Sequence, residues 1–198
     1  MTRKFKVLAG VLAAAVILAA CGNSGFKADH NWDVQDFSFT NQNNETVSLE
    51  DLKGKVWLAD FIFTNCVTVC PPMTYNMTLL QEKLKEEGIE DYRIVSFSVD
   101  PEVDTPEALS EFISKYEADT SKWDLLTGYT QDHISEFAEK SFKSLVANDP
   151  NTDQVVHMTS FYLVNQEGEA VKSYGGYEEV PFDQIVRDIE ALIEEGKD

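Results

Sequence analysis

The sequence predicts an α/β domain: a central mixed β-sheet flanked by helices, with a β-hairpin on its N-terminal side. Three observations carry this. Short β-branched and aromatic runs alternate with stretches of 3–4-residue apolar spacing, the order of strands threaded between helices. Residues 56–63 are apolar with little alternation, as a strand buried on both faces requires. Pro71-Pro72 and Thr105-Pro106 stand where two helical stretches begin.

The elements follow in order. Residues 34–40 and 46–49 flank the polar run Asn41-Gln42-Asn43-Asn44, a hairpin signal. Residues 56–63 form a core strand, interrupted by Asp60. Cys66 and Cys70 follow, and a helix begins near Pro71. Met73, Met77, Leu80 and Leu84 give it an apolar face, and Gly88 stops it. Residues 93–99 are a second strand, and 100–104 a loop. Leu109, Phe112, Ile113 and Tyr116 mark the next helix. Residues 123–126 suit a short strand. Residues 131–142 are helical, with Ile134, Phe137, Ala138 and Phe142 on one face. Residues 144–156 have no clear period and read as a loop. Residues 159–165 and 169–174 are strands around Asn165-Gln166-Glu167-Gly168. Phe182, Ile185, Val186, Ile189, Leu192 and Ile193 mark a terminal amphipathic helix. A β-α-β half followed by a β-β-α half, with cysteines after the first core strand, resembles the thioredoxin-like arrangement.

The chain has 198 residues, with 16 Lys+Arg against 35 Asp+Glu and three cysteines. At 43% hydrophobic it can bury a core. It is too apolar for a disordered chain and too poor in cysteine for a disulfide scaffold. The net charge of −19 excludes nucleic acid as a partner, because phosphate binding needs a basic surface.

The N-terminus reads as a targeting device. Arg3, Lys4 and Lys6 precede fourteen uncharged, mostly aliphatic residues, 7–20. That is short for a membrane span and suits a signal peptide. Leu18-Ala19-Ala20-Cys21 resembles a bacterial lipobox, in which the cysteine is acylated and becomes the new N-terminus. The expected division is a lipoprotein signal peptide over 1–20, a lipidated tether over 21–32 and the folded domain over 33–198. Loss of residues 1–20 removes three bases and no acid, so 13 bases would face 35 acids, a net of −22. A juxtamembrane grip on anionic lipid is therefore not expected, and anchoring falls to the acyl chains. The expected location is the extracytoplasmic face of the bacterial cell membrane, and a monomer is expected.

With Cys21 lipidated, Cys66 and Cys70 are the remaining thiols. A close pair outside the cytoplasm is a disulfide, a redox couple or a metal site. Three residues separate the two, one more than in a CxxC redox motif. Positions i and i+4 share a helix face, so two sulfurs so placed can hold one soft metal ion or close into a disulfide. A helix N-terminus favours thiolate over thiol. Thiolates select Cu(I), zinc and iron–sulfur clusters, and structural zinc wants four protein ligands. Of three histidines, His30 falls in the tether and His133 in a first helical turn, a surface position. His157 precedes a strand, where a thioredoxin-like fold turns the loop toward the cysteines. Two thiolates and one imidazole fit copper with an open position better than structural zinc. Met73 and Met77 have the spacing of a copper motif, but a helical core face accounts for them. Asp100 ends the second core strand, near the thiols or capping its loop.

Three stretches match one family. Residues 60–73 (DFIFTNCVTVCPPM), 98–106 (SVDPEVDTP) and 157–164 (HMTSFYLV) resemble the signature of the Sco/SenC proteins, in that family's order. The resemblance spans roughly residues 34–193. It implies a membrane-anchored, thioredoxin-like copper-binding protein that helps assemble the binuclear copper centre of cytochrome c oxidase subunit II. Carried over by position, Cys66, Cys70 and His157 would ligate copper, with Asp100 a nearby acid. The family is also discussed as thiol–disulfide reductants of the target's cysteines, so a redox-active Cys66–Cys70 pair is the alternative, alongside a copper or redox sensor. A peroxidase is disfavoured. Phe63 stands where Thr-x-x-Cys would need threonine, and Arg93 begins a strand distant from the loop. A purely structural disulfide is a poor explanation, since so short a loop gives little entropic stabilisation.

Overall fold

The computed structural model describes residues 25–148, 152 and 154–197. The strands are β1 (Trp32–Asp33), β2 (Ser38–Asn41), β3 (Thr46–Ser48), β4 (Val56–Ile62), β5 (Tyr92–Ser98), β6 (Trp123–Thr127), β7 (Val146–Asn148), β8 (Val155–His157), β9 (Ser160–Val164) and β10 (Glu169–Gly175). The helices are α1 (Leu49–Leu52), α2 (Cys70–Glu86), α3 (Pro106–Ile113), α4 (Gln131–Phe142) and α5 (Phe182–Glu195).

Eight strands form one sheet in the order β1-β10-β9-β4-β5-β6-β2-β3. β4, β5 and β6 are parallel, whereas β9 is antiparallel to β4 and β10 to β9. β2 joins antiparallel to β6 and carries β3. Every residue of β4 is buried. This is why its sequence lacks alternation: α2, α3 and α5 cover one face, and α4 with the N-terminal aromatics covers the other. Phe37, Phe39, Phe61, Phe97, Phe137 and Phe142 form the aromatic centre of the second layer, mostly in edge-on pairs.

The helix signals act where the sequence places them. Thr105 caps α3 through its hydroxyl, which accepts from Ala108 N–H. Thr130 caps α4 in the same way through His133 N–H. Met73 and Met77 are fully buried, as the core face of α2 requires.

Three elements differ from the expected order. Residues 144–156 contain β7 and part of β8, a two-stranded hairpin apart from the main sheet. Three-residue strands are too short to show a period, and among their described side chains the buried ones are Val146 and Val155. Residues 46–49 hold a strand end and a helix start, because Ser48 and Asp51 form a capping box. The third is β1. The expected tether is described from Gly25 onward, and there it runs along β10. Asp29 and His30 N–H groups donate to the Val171 carbonyl, His30 Nδ1–H donates to the Ala170 carbonyl, and the His30 ring stacks on Trp32 at 3.5 Å. The signal peptide and Cys21 lie outside the described residues. Among the described residues, no helix is long and apolar enough to cross a membrane.

Gly176 follows β10, and its N–H donates to the Thr159 carbonyl. A Cβ there would stand 2.8 Å from the fully buried Phe161 ring. Gly176→Ala is expected to lower stability by about 1–3 kcal/mol through overpacking, measured by urea unfolding.

Candidate metal centre

The site stands at the C-terminal end of β4. After Ile62 the chain keeps Phe63 buried, then turns, with Cys66 N–H donating to the Phe63 carbonyl at 3.2 Å. Helix α2 starts at Cys70, with Pro71 and Pro72 in its first turn. Its N-cap residue, Val69, has no side-chain oxygen to offer the free amides. Cys70 N–H donates instead to Cys66 Sγ at 3.2 Å. The Cys66 sulfur thus takes the place of a capping oxygen, at the positive end of the helix dipole. Thr68 Oγ1 lies 3.9 Å from the same sulfur.

His157 arrives from β8. Its Nε2 is 3.6 Å from Cys70 Sγ, and its Nδ1–H donates to the Met158 carbonyl at 3.0 Å. The Phe63 ring meets the imidazole edge-on at 5.9 Å between centroids.

The two thiols are unequal. Cys66 is held well below the ordinary thiol range, chiefly by the hydrogen bond from the Cys70 thiol, against the opposing effect of burial. His157 and the Cys70 amide add to the lowering. Cys70 is pushed up, first because it donates to Cys66 and second by burial. Both are free thiols here. Cys66 is therefore the thiolate and Cys70 the proton holder.

The donor chemistry fits a soft metal. An imidazole nitrogen and a thiolate on one ion, at about 2.0 and about 2.3 Å, stand roughly 3.5–3.7 Å apart for tetrahedral or trigonal angles. The Cys70–His157 separation of 3.6 Å falls on that span. Among the described residues, no group of three His, Cys, Asp or Glu is already closed around one metal position.

Asp100 closes a turn, and the two other histidines and Met158 have contacts of their own. For Asp100 the described contacts are backbone ones: its N–H donates to Ser98 Oγ, and its carbonyl accepts from the Val103 and Asp104 N–H groups. His133 is exposed on α4, edge-on to Phe39 at 5.4 Å. His30 lies along β10. Met158 is 49% exposed beside His157.

Two carboxylates beneath the site escaped the sequence reading. Asp60 is fully buried in β4. Its Oδ1 accepts from Ser96 Oγ at 2.5 Å, and its Oδ2 is buried with no partner. Asp104 is fully buried and accepts from Thr64 and Ser98. The available signal for Asp60 was one charge inside an otherwise apolar run. For Asp104, nothing local distinguished it from Asp100.

A mixed sheet with a Cys-x-x-x-Cys pair at a strand–helix junction, and a histidine entering from the antiparallel side, defines a thioredoxin-like protein with a soft-donor site. The SCO1/SenC family profile matches residues 27–194. The chain belongs to the SCO1/SenC family. It is 52% identical over 188 residues to the SCO1 protein homolog of Bacillus subtilis (strain 168), covering 94% of this chain and 97% of that one. Among solved structures, it resembles a SCO1/SenC family lipoprotein from Bacillus anthracis str. Ames, with TM-score 0.80 and 50% identity over 84% of this chain and 99% of the other. BsSco, described as a Sco-family cytochrome c oxidase assembly protein with a disulfide switch, gives TM-score 0.79 and 53% identity over 85% and 97%. ScoI of Arabidopsis thaliana with copper bound gives TM-score 0.67 and 27% identity over 79% and 97%.

Two outcomes follow from the unequal groups. At neutral pH, a limiting amount of iodoacetamide is expected to modify Cys66 ahead of Cys70, read by peptide mass spectrometry; equal labelling would contradict the assignment. Burial raises Asp60 from 3.8 to about 6, offset in part by Ser96 and His157. The folded protein thus holds this proton more tightly than the unfolded chain does. The group's effect is most favourable below about pH 4 and is lost as pH rises through 6, a change of about 3 kcal/mol. Asp60→Asn is expected to remove that part of the pH dependence, so its stability relative to wild type rises between pH 4 and 7 in urea titrations.

Proposed function

We propose that this chain is a copper-binding assembly protein that holds copper through Cys66, Cys70 and His157 and passes it to the binuclear copper centre of cytochrome c oxidase subunit II. The observation that carries this reading is the 3.6 Å approach of His157 Nε2 to Cys70 Sγ, beside a Cys66 sulfur that accepts from the Cys70 amide. The copper-bound state of the Arabidopsis relative and the oxidase-assembly role ascribed to BsSco support it. Copper is the cargo: two sulfurs and one imidazole hold it with a position left for an acceptor's ligand. Lipid attachment at Cys21 would keep the domain on the extracytoplasmic face of the membrane, a reading supported by the lipobox and the lipoprotein relative from B. anthracis.

Copper titration tests the donor set. His157→Ala is expected to weaken binding at least tenfold, and Cys66→Ala or Cys70→Ala to weaken it further. Unchanged affinity in His157→Ala would sink the three-donor site.

A second reading is favoured by the inequality of the thiols. Cys66 thiolate would attack a partner disulfide, forming a mixed disulfide and releasing one partner thiolate. Cys70, after losing its proton, would then attack Cys66 sulfur, release the second partner thiolate and leave a Cys66–Cys70 disulfide, passing two electrons to the partner. Exchange with a model disulfide too slow for biological turnover would remove this reading.

A further inference from the structure

The three donors are held with very different security. Cys70 belongs to a 17-residue helix, and His157 is pinned by its own Nδ1–H. Cys66 sits between β4 and α2 on a loop whose tip, Val67, is 80% exposed. Something must decide where that sulfur stands. The loop leaves β4 through Phe63 and Thr64, and Thr64 turns both of its donors onto one group. Thr64 N–H donates to Asp104 Oδ1 at 3.1 Å, and Thr64 Oγ1–H donates to the same oxygen at 2.5 Å.

Asp104 is itself locked. Ser98, the last residue of β5, donates its hydroxyl to Asp104 Oδ2 at 2.6 Å. The same hydroxyl oxygen accepts from Asp100 N–H at 3.1 Å, and the Asp100 carbonyl accepts from Asp104 N–H at 2.9 Å. Turn 98–104 therefore closes on itself and aims one carboxylate at Thr64. The next residue, Thr105, caps α3, which holds the turn from the other side. Asp104 has no exposed surface, and among the described contacts its carboxylate meets neutral donors only.

A buried carboxylate without a cation is an expensive fastener for two loops, since desolvation is only partly offset by neutral hydrogen bonds. What it offers is direction. Three donors converge here, and an ionised carboxylate is the side chain that can accept all of them at once. We propose that Asp104 is the positioning residue of the dithiol: by clamping Thr64 to the end of β5 it sets the place of the Cys66 sulfur relative to Cys70 and His157. The role rests on the reading of Cys66 as a donor of the site, for copper or for exchange. Asp104 touches neither sulfur and acts through Thr64.

The test compares four variants. Asp104→Ala removes the clamp, and Thr64→Val removes one of its legs at constant shape. Asp104→Asn can still accept from Thr64 with its oxygen while its amide donates to Ser98, which is free to turn its hydroxyl. Ser48→Ala removes the α1 cap at the far edge of the sheet and serves as the control for lost stability alone. The readouts are copper affinity, the copper–thiolate absorption band, and the rate of Cys66 alkylation at fixed pH. Asp104→Ala is expected to weaken copper binding about 10–100-fold, the range typical of groups that orient metal ligands, and to shift the band. Thr64→Val should fall between it and wild type, and Asp104→Asn should restore most of the loss. Ser48→Ala should lower the melting temperature with band and alkylation rate unchanged.

Wild-type readouts in Asp104→Ala and Thr64→Val would overturn the proposal, as would Ser48→Ala shifting them equally. If Asp104→Ala does not fold, Thr64→Val against Asp104→Asn decides. If the wild-type protein takes up no copper, the copper reading fails, and the Cys66 alkylation rates still decide whether the clamp exists.

Discussion

The complete burial of β4 is the constraint on which the site depends. A strand covered on both faces has a fixed register with its neighbours, because any slip would push apolar side chains out of two packed layers at once. β4 pairs in parallel with β5 along its whole length, from Val56 with Tyr92 to Ile62 with Ser98. Both strands therefore end at the same edge, and the loops that leave them must meet there. That meeting brings Thr64 to Asp104. β9 is antiparallel to β4, so it begins at this same edge. His157 lies three residues before β9, and this is why it arrives opposite the cysteines.

At that edge the electrostatics are local. The protein is strongly acidic, yet Cys66 is favoured as a thiolate by the free amide of α2, the Cys70 thiol and His157. Dipoles a hydrogen bond away outweigh a diffuse surface charge, which solvent and salt screen within about 8 Å. The excess of acid accordingly selects neither metal nor thiol state. The two buried acids below the site serve different ends. Asp60 faces apolar surroundings with one oxygen unmatched and is held more readily as the neutral acid. Asp104 also has its proton affinity raised by burial, but three donors draw it back toward the anion.

The donors come from supports of graded stiffness: a long helix, a strand-to-helix loop and a short hairpin. Rigid elements hold a site more tightly than loops do. Under the proposed copper-handling role, Cys70 would stay fixed while the loop carrying Cys66 moves.

The strands and helices that alternate along the chain were legible in the sequence because each carries its own period, cap or proline. The same holds for Cys66 and Cys70, whose spacing is covalent, and for the buried role of Met73 and Met77, which helical spacing dictates. His157 was reachable through topology and the family motif it opens, not through any local period. The hairpin at residues 146–157 and strand β1 were not legible: such short strands have no periodicity, and partners distant in sequence make them strands. Asp100 and Asp104 show the limit most sharply. Both are acids in one polar loop, and composition favours neither. Only the parallel register of β4 and β5 brings Thr64 to Asp104 and leaves Asp100 to close the turn. Local sequence determines which residues can do chemistry; the pairing of strands far apart in the chain determines which of them meet.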